Sequence, residues 1–146
     1  MYRRILVPVE HSAYDTIILS HVRQLAQLCQ SCLVLIHVAD GWAARNQRAL
    51  KLRESEEMRL DREYIEECCD RLRREGFDTD SILAAGDPAT EIAAAAERER
   101  CDLIAMAVHG HRGLQDVIYG ATANEVRHKS MVPVLMVRGP VPITSR

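Results

Sequence analysis

The chain has 146 residues, enough for one domain with a sizeable core, and its 47% hydrophobic and 27% charged residues are the balance of a globular chain rather than a disordered one. A net charge of -2 and an aromatic share of only 4% exclude a uniformly basic nucleic-acid face with stacking platforms. No apolar run reaches the roughly 18 residues of a membrane span, and the start MYRRILVPVE has no signal peptide's apolar region, so a cytoplasmic protein without a membrane partner is expected.

RILVPVE near the start is a short, almost continuous apolar run, the pattern of a parallel strand covered on both faces, with Pro8 near its C-terminal end. Ile18, Val22, Leu25 and Cys29 then recur at helical spacing and predict an amphipathic helix over residues 13–30. CLVLIHV, residues 32–38, is the second strand. Residues 42–53 carry four basic side chains with little periodicity and read as an excursion. Residues 54–75 alternate charges around Met58, Ile65 and Leu72 and predict a solvated helix. SILAAG is the third strand. In GDPATE, which follows, Asp87 is placed to cap a helix over residues 89–100 and Pro88 to occupy its first position. DLIAMAV, residues 102–108, is a fourth strand; a last helix is predicted over residues 122–130 and a fifth strand over residues 132–138. Residues 139–146, with two prolines, form a short tail outside the sheet.

The five cysteines are an odd number without the density of a disulfide scaffold, and they read as reduced. Cys29-x-x-Cys32 has no second CxxC beside it. It reads as structural rather than as a redox pair or half a zinc site.

Five strands alternating with four helices predict a single α/β domain over residues 1–146: an open five-stranded parallel sheet, Rossmann-like, helices on both faces, strand order 3-2-1-4-5. Ligands of such sheets bind beyond the carboxyl ends of the strands where the order reverses, here between strands 1 and 4. Those ends are PVEHS and AVHGHRG. The second opens AVHGHRGLQDVIYGATANEV, whose Gly110, Gly113 and Gly120 leave room for backbone amides to approach a phosphate. A helix starting near Thr122 would add free amides and a dipole, and Thr122-x-x-Glu125 has the capping-box pattern.

At this point the chain resembles the universal stress proteins from Arg4 to Arg138. The resemblance is carried by ILVPVEHS, LIHV, GDPATEI, CDLIAMAVHG and, most specifically, HGHRGLQDVIYGATANEVRHKSMVPVLMVR. Family members that bind ATP look like G-x2-G-x9-G-[ST] across this loop, which falls here on Ala107, Gly110, Gly120 and Ala121, with alanine at two of the motif positions. The resemblance also implies adenine and ribose contacts from Pro8, Glu10 and Val38, Glu10 standing where aspartate is usual, and Thr122 could supply the hydroxyl that Ala121 lacks. It further implies a dimer formed through the last strand, VPVLMVR.

The expected function is therefore a non-catalytic regulatory module that binds ATP or AMP and dimerises. The alternative is a family member that leaves the crevice empty of nucleotide and works through protein contacts, with weak ATP hydrolysis a distant third. His109, His111 and Glu10 could supply a general base and Asp116 a metal contact, but no nucleophile with a paired base stands out. A metal shared by His109, His111 and His11 is weaker still, and no catalytic or metal-binding residue is expected.

Overall fold

A computed structural model describes residues 1–40, 51–109 and 114–139 of the chain. Its elements in order are β1 (Arg4–Pro8), α1 (Tyr14–Cys29), β2 (Cys32–Asp40), α2 (Lys51–Arg74), β3 (Thr79–Gly86), α3 (Pro88–Arg98), β4 (Leu103–His109), α4 (Leu114–Lys129) and β5 (Val134–Gly139). The strands form one sheet in the order β3-β2-β1-β4-β5, every pairing parallel. This is the predicted architecture and the predicted strand order.

Strand alternation divides the core into two layers. Ile5 and Val7 of the first strand with Val9 just after it, Leu33 and Leu35 of the second and Leu103, Ala105 and Ala107 of the fourth face α1 and α2, where they meet Ile18, Val22, Ile65 and Leu72. Leu6, Val34, Ile36, Ile104 and Met106 face the other way, against Ala89, Ile92, Ala95 and Ala96 of α3 and Ala123 and Val126 of α4. Each large side chain taken fully from water contributes about 1.5–3 kcal/mol. The small residues of α3 let that helix lie close to the sheet.

Two local expectations hold in detail. Asp87 is the N-cap of α3, its carboxylate accepting from the Thr90 amide at 3.0 Å and the Thr90 hydroxyl at 2.7 Å, with Pro88 in the first turn. Gly86 just before it has φ +135°. A Cβ there would also lie 3.0 Å from the Glu91 carboxylate, so the turn from β3 into α3 needs glycine. All five cysteines are free thiols, with Cys68, Cys69 and Cys101 buried.

One expectation fails. The last helix does not start near Thr122 but at Leu114, so Gly120, Ala121 and Thr122 lie in the body of α4 and Thr122-x-x-Glu125 does not stand at a helix start. A glycine inside a helix costs about 1 kcal/mol relative to alanine, and the following turn, anchored by buried Ala123 and Val126, outweighs it. The excursion predicted over residues 42–53 falls largely on residues 41–50, outside the described residues; α2 already begins at Lys51.

Candidate nucleotide crevice at the carboxyl ends of β1 and β4

The sheet order creates the crevice. β1 and β4 are neighbours, yet β1 continues into α1 on one face of the sheet and β4 into α4 on the other. The chain therefore parts above their carboxyl ends.

On the β1 side the loop is built around one carboxylate. Asp15, only 2% exposed, accepts from the backbone amides of Glu10 at 2.8 Å, His11 at 2.9 Å and Ser12 at 3.2 Å, and from the Tyr64 hydroxyl at 2.5 Å. Charge-assisted bonds of this kind are roughly twice as strong as neutral ones. They hold His11 at φ 62°, in the left-handed region that a non-glycine residue occupies at a cost. α1 has no side-chain cap from Ala13; Asp15 gathers the loop ahead of the helix instead. Burial, and then the bond to Asp15, push the Tyr64 phenol well above its ordinary range, so it stays a donor.

A second carboxylate lies beside the first. Asp61 of α2 takes His11 Nδ1 at 3.1 Å on one oxygen and His37 Nε2 at 3.3 Å on the other. The His11 ring stacks on Tyr64 with centroids 4.0 Å apart and planes 17° from parallel. His37 Nδ1 lies 2.9 Å from the Val9 carbonyl.

The predicted site residues fall as follows. Pro8 ends β1 opposite Ile36. By strand alternation it shares a face with Leu6, the face on which Val38 is half-buried against the α3/α4 layer. Glu10 follows in the loop and receives the Ser12 hydroxyl at 3.1 Å. Ala107 lies in β4 opposite Val137, 8% exposed, its methyl in the α1/α2 layer and therefore on the face opposite to Pro8 and Val38. Its φ is not positive, so alanine in place of the motif glycine brings no backbone strain. Ala121 is exposed and Thr122 half-buried on α4. Gly110, with Gly113, His111 and Arg112, lies outside the described residues.

Because α4 begins at Leu114, the free amides and positive dipole end expected at Thr122 stand at Leu114 instead, closer to the end of β4. Those of Ala121 and Thr122 are inside the helix. Among the described residues no group of His, Cys, Asp or Glu is placed to hold a metal ion. His11, a member of the weakest metal reading, is engaged with Asp61 and Tyr64.

Asp15, His37, Asp61 and Tyr64 are the residues that sequence reasoning passed over. Asp15 and His37 sit inside element patterns, where they read as ordinary helix and strand positions. Asp61 and Tyr64 lie on a helix whose alternating charges conceal them. An aspartate in the first helical turn after a strand end was the available signal.

Comparison with known proteins agrees with this architecture. The model of the universal stress protein family matches residues 1–138. Universal stress protein MJ0577 of Methanocaldococcus jannaschii is 31% identical, over 94% of this chain and 96% of its own. The solved structure of MJ0577 superposes with a TM-score of 0.84 at 29% identity, covering 96% of this chain and 98% of the other. Two further structures share the fold at lower identity. A universal stress protein in complex with cAMP has a TM-score of 0.68 at 17% identity, covering 94% of this chain and 97% of its own. The universal stress protein of Archaeoglobus fulgidus in complex with dAMP has a TM-score of 0.62 at 18%, covering 92% and 97%. With the family model spanning residues 1–138 and the sheet order in agreement, the chain belongs to the universal stress protein family.

Proposed function

We propose that the chain is a non-catalytic regulatory module that binds an adenine nucleotide, ATP or AMP, in the crevice between β1 and β4, and that it works as a homodimer in the cytoplasm. The observation that carries this is the parting of the chain at the switch point, with Pro8 and Val38 on one face of its rim and α4 beginning at Leu114, soon after β4 ends at His109. Relatives of this fold in complex with cAMP and dAMP support the ligand class. Pro8 and Val38 offer an apolar surface to a base, Glu10 a carboxylate to ribose hydroxyls, and the segment from Ala107 through Gly110 to α4 takes the phosphates. Gly120, Ala121 and Thr122 contribute from the body of α4 by close approach and a hydroxyl, not by free amides.

The bonds to Asp15 bear on where the phosphates go. The amides of Glu10, His11 and Ser12 are all spent on one carboxylate, so the β1 loop is no anion nest, and Asp15 and Asp61 make that side acidic. Phosphates belong on the β4 side. The same observation favours a second reading, in which the crevice holds no nucleotide and the protein acts through protein contacts.

Dimerisation is assigned to β5. It is the sheet edge next to β4, and Met136 on it and Met131 just before it are exposed apolar side chains. Among the described residues no helix is long and apolar enough to cross a membrane.

Calorimetric titration of nucleotide-stripped protein with ATP, AMP and inorganic phosphate tests the proposal. Micromolar binding of a nucleotide but not of phosphate is expected; no heat up to millimolar nucleotide overturns it in favour of the second reading.

A further inference from the structure

His37 and Asp61 make a contact that the nucleotide crevice does not require. The His37 ring lies on the sheet face covered by α1 and α2, with its side chain 12% exposed. Its Nδ1 faces the Val9 carbonyl at 2.9 Å, and a carbonyl only accepts, so that nitrogen carries a hydrogen. Its Nε2 faces Asp61 Oδ2 at 3.3 Å. An ionised carboxylate also only accepts. A neutral imidazole would therefore set a lone pair against a carboxylate oxygen in a half-buried site where water has little room to intervene. The contact is attractive only when the pair holds one further proton, on Nε2 or on Oδ2.

The remaining groups around the pair do not remove this need. From the β1 loop, His11 Nδ1 lies 3.1 Å from the other oxygen of Asp61, and a carboxylate only accepts, so this contact takes its hydrogen from His11 and gives none to His37. From α2, Tyr64 gives its hydroxyl to Asp15 of α1 and not to Asp61. From β3, the residue paired with His37 is Leu83. Among the described residues no lysine or arginine forms an ion pair with Asp61.

We propose that the His37–Asp61 contact is a proton-dependent clasp that fixes α2 against the carboxyl ends of β1 and β2. The sign follows from the donor count. The clasp is complete at acidic pH and is lost as pH rises and the shared proton leaves. His11 with Asp61, and Tyr64 with Asp15, still hold the helix, so the result is local loosening of α2 around Asp61 and not unfolding.

The test uses the full chain without ligand, so its outcome is independent of nucleotide binding. Imidazole nitrogen shifts of His37 are followed by NMR from about pH 5 to 8, with hydrogen exchange of the α2 amides around residues 61–65 corrected for the intrinsic pH dependence. A doubly protonated His37 ring at the acid end, losing Nε2–H as pH rises, is expected, with roughly tenfold faster corrected exchange once that proton is gone. Asp61→Asn can donate to Nε2 and accept from His11 without an extra proton, so its exchange should not depend on pH. Tyr64→Phe leaves the pair intact and should keep the dependence. A His37 ring whose Nε2 carries no proton at the acid end, or α2 exchange that is flat with pH in the native chain, overturns the clasp. The native titration alone decides should Asp61→Asn fail to fold.

Discussion

Replacing Asp15 by alanine should be the most damaging single change in the crevice, although it removes only a small side chain. Three backbone amides and the Tyr64 hydroxyl converge on its carboxylate. Hydrogen bonds to a charged group contribute about 1.5–3 kcal/mol each, which summed over the four would be comparable to the whole stability of a domain. The sum is an overestimate on two counts. The loop amides regain water once the carboxylate is gone, and alanine ends the cost of keeping a charge in a site only 2% exposed. A net loss of about 3 kcal/mol remains, or a fall of about 6–12 °C in Tm at 2–4 °C per kcal/mol. Urea unfolding with an unchanged m-value is the assay. Tyr64→Phe removes one donor and leaves three, so it should cost only about 1 kcal/mol, and far less in the Asp15→Ala background, where its acceptor is already gone. An Asp15→Ala protein within about 0.5 kcal/mol of the native one, or full additivity of the two changes, would refute the claim that this carboxylate organises the loop.

Gly139 ends β5 against α1, where a Cβ would lie 2.7 Å from Ile17 Cδ1 and 2.8 Å from its Cγ2. Gly139→Ala should therefore destabilise by about 1–3 kcal/mol, and Ile17→Ala should recover part of that loss in a double-mutant cycle read by urea unfolding. Burial pushes the Cys101 thiol up to about 11, so at pH 8 the native protein should leave it unmodified by a thiol reagent, whereas denatured protein titrates all five cysteines. Partial burial works against it, but the amides of Arg3 and Arg4, bound at 2.9 and 3.0 Å, hold the Asp102 carboxylate below its ordinary range. A depressed folded pKa adds stability above the unfolded carboxylate value and loses it as pH falls, so Asp102→Ala should flatten the acid limb of a stability–pH profile. Leu72 is fully buried on α2, and Leu72→Ala should cost about 2–5 kcal/mol in the same urea assay.

What the sequence discloses and what it conceals divide along a physical line. Strands buried on both faces write themselves as apolar runs, and Ile18 with Val22 on α1 or Ile65 with Leu72 on α2 repeat at helical spacing because one face meets the sheet. Asp87 and Pro88 are equally legible, since a cap acts on amides of its own helix only a few residues away. The start of α4 is not. Gly120 looks like loop punctuation, and only the burial of Ala123 and Val126 against a sheet formed by residues far away in sequence shows that the helix runs through it. The crevice divides in the same way. Pro8 and Val38 belong to strands whose register fixes their face, so their common side follows from alternation. Asp15 meets Tyr64, and His37 meets Asp61, only because α2 crosses the strand ends, and no local pattern in charged stretches such as EEMRLDREYIEE distinguishes a carboxylate turned inward from its solvated neighbours. Charge is legible as composition, but its direction is a tertiary property. The residues that give this crevice its acidic, imidazole-lined side are therefore the ones a one-dimensional pattern conceals.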